Sequence, residues 1–348
     1  MRESRYRESG GTLMKIAHII PASIGYPLPT HNGRYDWVHE LAKRQAQQGH
    51  SVTVYGSPDS FIEGVLTTGI SQSADDSRQN NIETFRLAFR NTHDVYHSHF
   101  DNLHYAVALE TDRPIVYTQH WWPTTESVHF AQTSSAQNVW AVPPTQFMYA
   151  HDQDVGIQSK GYIYHGIDLD EFHPSNVEKT DRLLCVSRIS PEKKLESVID
   201  FAVKTNSKLD IIGKITPKNQ DYWQTLEPFI DGQNIRYLGT MDHDTLIDYY
   251  TSSRGVIFPF TENEAFGLVA IEAQACGTPV IMNDGGSRGE LVNDGKSGFL
   301  CADEIEFTAA IKSLDTINPE DCIEFAKQFD ISIMTNRYEQ LYGTLITS

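Results

Sequence analysis

Short apolar runs alternate along the chain with longer stretches in which apolar residues recur every third or fourth position. Met14 to Ile20 reads as a strand. After a turn holding Pro21, Gly25, Pro27, Pro29 and Gly33, the spacing of Trp37, Val38, Leu41 and Ala42 predicts a helix from about Tyr35 to Gln48. Gly49 supplies a stop and Ser51 to Tyr55 the next strand, which is the strand, helix, strand crossover that parallel sheets require. Further short strands are expected at Asp94 to Tyr96, Ile115 to Thr118 and Tyr162 to Tyr164.

A second series repeats the alternation. Strands are expected at Arg182 to Val186, Leu209 to Ile212, Ile235 to Leu238, Gly255 to Phe258 and Pro279 to Met282. Helices are expected at Glu192 to Val203, Asp221 to Phe229, Asp244 to Tyr250 and Gly267 to Cys276, with a last one from Ile331 to Leu345. Strands alternating with helices predict parallel sheets covered on both faces. The series part in the polar stretch from Asp168 to Thr180, which contains Pro174 and Ser175. The expected division is a disordered tail over 1–13, a first domain over 14–167, a second over 168–330 and a terminal helix over 331–348. Translation starting at Met1 and at Met14 both fit the polar tail.

A length of 348 residues exceeds what one hydrophobic core usually supports and agrees with two domains. The formal charge of -18 repels nucleic acid and anionic lipid over most of the surface, so an anionic ligand needs a local basic site. No run approaches the length needed to span a bilayer. Cys185, Cys276, Cys301 and Cys322 are scattered without metal-ligand spacing, and the N-terminus resembles no cleaved signal, so a cytoplasmic setting is expected.

Ligands of doubly wound sheets bind outside the carboxyl ends of the strands, and four unusual segments fall there. In Tyr26 to Arg34, Gly33 can let backbone N–H groups approach a phosphate at a helix start, or simply make a turn. In Val186 to Lys194, Arg188 and Lys193 can converge on one anion, a diphosphate clamp, or cap a solvated helix start. In Pro259 to Pro279, Glu264 and Glu272 are separated by seven residues, roughly 12 Å along a helix and nearly on one face. That span suits one carboxylate for a sugar and the other for a ribose, with a diphosphate between them at Phe266, Gly267 and Leu268. Glu272 lies among Ile271, Ala273 and Ala275, where an unpaired carboxylate is costly. The fourth segment, Tyr117 to Pro123, carries His120 between a strand and the stacking faces of Trp121 and Trp122.

Glu264, seven residues, then Glu272, running into Ala275-Cys276-Gly277-Thr278-Pro279, resembles the signature of family 4 (group 1) retaining glycosyltransferases of the GT-B fold. Arg188 with Lys193, Asp284-Gly285-Gly286 before Glu290, and Asn293-Asp294-Gly295 before Gly298 match further elements of that family in order. Asn32-Gly33-Arg34 stands where the family more often has paired glycines. The resemblance implies two doubly wound, Rossmann-like α/β domains facing across a cleft, with the terminal helix packing back on the first. It implies that a nucleoside diphosphate sugar is held mainly by the second domain, through Arg188, Lys193, Glu264, Phe266, Gly267, Leu268 and Glu272, with Gly33 of the first domain also against the donor.

His120 matches the family's histidine beside the reacting sugar, which implies catalytic roles for His120, Glu264, Arg188 and Lys193. His97 and His99, with Trp121 and Trp122, are expected on the acceptor side. No metal site is expected, and Asp168-Leu169-Asp170 reads as a turn rather than a metal ligand pair. No cofactor is required, and magnesium is allowed but not demanded. The implied reaction moves a sugar to the hydroxyl of a carbohydrate, lipid-linked or small-molecule acceptor. The alternatives are a nucleotide-sugar epimerase of the same fold and a silent nucleotide-sugar-binding partner of an active homologue. A nicotinamide oxidoreductase lacks its Gly-x-Gly-x-x-Gly here.

Overall fold

A computed structural model describes residues 12–28, 33–71, 77–258 and 264–347. The stretches 1–11, 29–32, 72–76 and 259–263 and residue 348 lie outside the described residues, among them parts of the expected N-terminal tail, of the segment Tyr26 to Arg34 and of the segment Pro259 to Pro279. The chain divides into one unit formed by 1–164 with 331–348 and another formed by His165–Asp330.

The first unit runs β1 (Lys15–Ile19), α1 (Gly33–Gln47), β2 (Ser51–Gly56), β3 (Leu66–Gly69), α2 (Ser77–Phe89), β4 (Val95–Ser98), α3 (Leu103–Val107), β5 (Ile115–Thr118), α4 (Thr125–Thr133), β6 (Val139–Val142) and α5 (Gln146–Val155). The second runs β7 (Arg182–Val186), α6 (Leu195–Thr205), β8 (Lys208–Ile212), α7 (Gln220–Leu226), β9 (Ile235–Tyr237), α8 (His243–Ser252), β10 (Gly255–Ile257), α9 (Leu268–Ala275), β11 (Val280–Asn283), β12 (Gly298–Cys301), α10 (Glu304–Ser313) and α11 (Pro319–Ala326). Helix α12 (Ile331–Thr347) belongs to the first unit.

Each unit is built on a six-stranded sheet, β3-β2-β1-β4-β5-β6 in the first and β12-β11-β10-β7-β8-β9 in the second. All the strand pairs are parallel. The two orders are the same Rossmann-like order, with the direction of winding reversing between β1 and β4 and again between β7 and β10. A crevice for a ligand is expected at those two switch points.

The period of two along β1 sorts its residues between the faces. Ile16 and Ile20 join a core with Trp37 and Leu41 of α1 and Tyr338 and Tyr342 of α12. Ala17 and Ile19 face the other way, toward Phe85 and Phe100. His18 therefore shares the face covered by α1 and α12, although it is polar. Burying a side chain such as Leu41 contributes about 1.5–3 kcal/mol, so α12 is held on the sheet mainly by this apolar face.

Local differences from the sequence expectations have identifiable causes. Tyr162 to Tyr164 is not a strand, because Ile163 makes a single backbone bond to Pro143 without a ladder. The helix expected from Glu192 is a 3-10 turn over Pro191–Lys193, then Lys194 in the left-handed region, then α6. The helix expected over Gly267 to Cys276 spans Leu268–Ala275, and Glu264 lies before it, so its spacing to Glu272 is not the helical one assumed for the pair; Gly267, at φ +113°, cannot continue the helix backward. Among the described residues no helix is long and apolar enough to cross a membrane.

Candidate functional site

In the second unit the site is assembled at the carboxyl ends of β7, β10 and β11. Beyond β7, Arg188 is exposed and pairs with Glu192 at 3.6 Å. A pair this open contributes about 0–1 kcal/mol, so an anion can exchange for Glu192 at little cost. Lys193 closes the 3-10 turn and its Nζ donates to Glu264 Oε2 at 2.5 Å. Both side chains keep part of their surface in solvent, 18% for the lysine and 25% for the glutamate. The sequence separation of 71 residues is bridged because β7 and β10 are neighbours in the sheet.

Glu272 lies on α9, inside the helix expected there. It points into α9's buried face, where its Oε2 accepts the Tyr250 hydroxyl at 2.7 Å. The hydroxyl's pKa rises well above its ordinary value, first through burial and then through the Glu272 charge. The protein itself thus supplies a partner for one oxygen of this carboxylate, so burial by itself does not call for a ligand. Phe266 is buried against His165 and Phe329, with ring centroids at 5.1 and 5.8 Å. Its neighbours Gly267 and Leu268 form the N-terminus of α9.

Sequence reasoning missed Arg288. It lies in the 3-10 turn after β11, only 4% exposed, and its Nε donates to Asn283 Oδ1 at 2.9 Å. Burial lowers its pKa, while the charges of Glu264 and Asp284 oppose that fall. Arg188, Lys193 and Arg288 thus put three cations around strand ends of an acidic chain, an arrangement able to stabilise a polyanion.

In the first unit, Gly33 opens α1, and the preceding residues of that turn are not described. Arg34 donates to the backbone carbonyl of His99 and lies 3.7 Å from Asp101. His120 follows β5, partly exposed, with the Trp37 ring edge-on at 5.2 Å. Trp121 is 46% exposed, whereas Trp122 leans on His151 at 4.7 Å.

His97 and His99 are fully buried, so neither presents a ring to an acceptor, and that expectation is corrected. The reason is the pleat: both point to the face that α12 covers. His97 Nε2 is 2.7 Å from Thr118 Oγ1 and its Nδ1 2.6 Å from the Tyr342 hydroxyl. His99 stands directly behind His120, Nδ1 to Nε2 at 3.3 Å.

His18, also missed, joins them because β1 pairs with β4 with His18 opposite His97. Among the described residues, His18, His97 and His99 form a cluster whose ring nitrogens lie within 4.8 Å of one another, close enough for a metal. Each ring is instead engaged by protein partners: Gln45 and His99 hold His18 at 2.8 and 3.1 Å. Its only sequence signal is a polar residue inside the apolar run of β1.

The chain was compared with known proteins. Residues 168–330 match the family model described as glycosyl transferases group 1. Over 174 residues the chain is 30% identical to a D-inositol 3-phosphate glycosyltransferase of Geodermatophilus obscurus, an alignment covering 43% of this chain and only 38% of that protein. An uncharacterized 41.2 kDa protein of the Klebsiella pneumoniae cps region is 26% identical over 263 residues, 66% of this chain and 70% of that one. Among solved structures, a sucrose-phosphate synthase from Thermosynechococcus elongatus superposes with a TM-score of 0.81 at 18% identity, covering 96% of this chain and 99% of that one. HepE from Anabaena, solved in complex with UDP, superposes at 0.78 and 18% identity, covering 95% and 100%. These likenesses establish the shared two-sheet GT-B fold.

Proposed function

Residues 168–330 are a glycosyl transferases group 1 domain, and from that premise we propose that the chain is a retaining, family 4 type glycosyltransferase. It moves a sugar from a nucleoside diphosphate sugar to an acceptor hydroxyl. The observation that carries this reading is the 2.5 Å contact between Lys193 and Glu264, which joins a phosphate-binding cation to a sugar-binding carboxylate at the switch point of the second sheet.

In the proposed reaction the bond from the anomeric carbon to the leaving diphosphate breaks while the acceptor oxygen bonds to that carbon from the same face. The acceptor's proton passes to a leaving phosphate oxygen. Arg188, Lys193 and the N-terminus of α9 stabilise the charge that collects on the diphosphate, and Glu264 orients the sugar hydroxyls. Glu272 retains a proposed ribose contact. His120 hydrogen-bonds a sugar hydroxyl, and the exposed face of Trp121 suits stacking on a carbohydrate.

No cofactor is required in this scheme. Four buried thiols without disulfides support a cytoplasmic setting. The crystallised UDP complex of HepE makes uridine diphosphate the first nucleotide to try.

A thermal-shift screen against UDP, GDP, ADP, TDP and their sugar conjugates, with NAD and magnesium as controls, tests the reading. Stabilisation by one nucleotide family, reduced at least several-fold in calorimetric affinity by Lys193→Ala, is the expected result. Stabilisation by NAD alone, or an affinity that Lys193→Ala leaves unchanged, refutes the assigned site.

A further inference from the structure

We propose that Gln45, His18 and His99 are positioning residues: a buried hydrogen-bond chain through them holds a proton on His120 Nε2, so that His120, when it carries a single proton, accepts at Nδ1. The benefit to transfer rests on the role of His120 proposed above, whereas the tautomer itself follows from the geometry.

The chain starts at Gln45 on α1, which is fully buried with its Oε1 2.8 Å from His18 Nε2. A carbonyl oxygen only accepts, so the hydrogen of this bond is on His18. Neutral imidazole carries one N–H, and His18 Nδ1 is then an acceptor. The atom facing it at 3.1 Å is His99 Nε2, which must donate. His99 Nδ1 becomes an acceptor in its turn, and the atom facing it at 3.3 Å is His120 Nε2. One carbonyl at the end of α1 thus dictates the state of a ring three residues along the chain of bonds.

The logic holds only while the inner rings are uncharged, and their surroundings ensure this. Burial lowers His18 to about 4. It holds His99 well below the ordinary histidine value, with further lowering by His97, His18, His120 and Arg34. A ring that cannot take a second proton must point its one hydrogen in a single direction. The Tyr342 hydroxyl meets His97 Nδ1 at 2.6 Å, which keeps the neighbouring ring engaged on a separate branch.

The spacing of His18, His97 and His99 also admits a metal, and the two arrangements make opposite demands. A metal needs bare nitrogens directed at one point, whereas here His18 Nδ1 and His99 Nε2, 3.1 Å apart, share a hydrogen.

Nitrogen-15 chemical shifts and long-range couplings of the histidine rings in the full-length protein decide between them, with His120→Gln assigning the His120 signals. Expected are an Nε2–H signature for His120 and His99, unchanged by added zinc or by EDTA. In Gln45→Met, which removes the accepting carbonyl at similar volume, His120 should become a mixture of the two tautomers. An Nδ1–H signature in the wild type, or ring shifts that move with zinc, overturns the proposal. So does a folded Gln45→Met protein whose His120 keeps the wild-type signature. Should Gln45→Met fail to fold, the wild-type spectrum alone still decides. An Nε2–H signature in a protein that binds no nucleotide would leave this inference standing and remove the proposed function.

Discussion

Replacing Asp152 by Asn should stabilise the protein at alkaline pH and do much less in acid. Asp152 lies on α5, fully buried, one turn from the helix end. Its Oδ1 accepts from the Gln119 amide at 3.2 Å, while its Oδ2 has no hydrogen-bond partner among the described residues. His151 approaches only to 3.8 Å. Burial pushes the carboxyl up from 3.8 to about 7, against a smaller pull from Gln119 in the other direction.

In the folded state the group keeps its proton until about pH 7, whereas in the unfolded chain it has lost it above about pH 4. Between those values the folded state binds more protons, so stability falls as pH rises and then levels off. From pH 5 to the folded value is about two pKa units, which at roughly 1.4 kcal/mol per unit gives a penalty growing by about 3 kcal/mol. Asn reproduces the protonated shape and keeps an oxygen for Gln119 without titrating.

Denaturant unfolding of wild type and Asp152→Asn at pH 5 and pH 9, followed by tryptophan fluorescence, measures the difference. Trp37, Trp121, Trp122 and Trp140 lie in the same unit as Asp152 and only Trp223 in the other, so the signal reports mainly the relevant transition. The Asn variant should gain about 3 kcal/mol relative to wild type between the two pH values. A difference that stays constant would show that Asp152 is not held protonated by its surroundings.

Gly213→Ala should destabilise the second unit by about 1–3 kcal/mol, because the added Cβ would lie 1.7 Å from the Ser187 carbonyl oxygen at the end of β7. Gly289→Ala, with nothing within 4 Å of its Cβ, is the control that should unfold like wild type. Tyr250→Phe removes the hydroxyl donated to Glu272 and should cost about 1–3 kcal/mol in denaturant unfolding; an unchanged midpoint would mean that Glu272 does not depend on this bond. Glu264→Ala should reduce sugar transfer far more than nucleoside diphosphate affinity, as compared by rate assay and calorimetry. Equal losses of both would contradict a place beside the sugar.

Much of this was legible before any coordinates. The alternation of short β-rich runs with amphipathic stretches marks parallel sheets, because each strand and helix carries its own periodicity locally. The cations Arg188 and Lys193 and the carboxylate Glu264 were recognisable as site candidates, since strand ends in such sheets are where ligands bind. Two places where expectation and structure differ have ambiguous local signals. β3 is a half-exposed edge strand of four residues, and Tyr162 to Tyr164 has strand composition without a neighbour to complete a ladder.

The sequence by itself determined the two series, their doubly wound character and the acidic field that makes a cationic cluster conspicuous. Tertiary structure alone decided which side chains meet. Glu264 precedes α9, which cannot extend backward through the positive φ of Gly267, and it reaches Lys193 rather than aligning with Glu272 along a helix. Glu272 found Tyr250, Arg288 came in from the turn between Asp284-Gly285-Gly286 and Glu290, and His18 joined His97 and His99 only through the pairing of β1 with β4. Periodicity and capping act over a few residues and can be read along the chain. Strand order and helix packing bring together groups far apart in sequence, such as Lys193 with Glu264 across 71 residues and His18 with His99 across 81, and no local pattern encodes them.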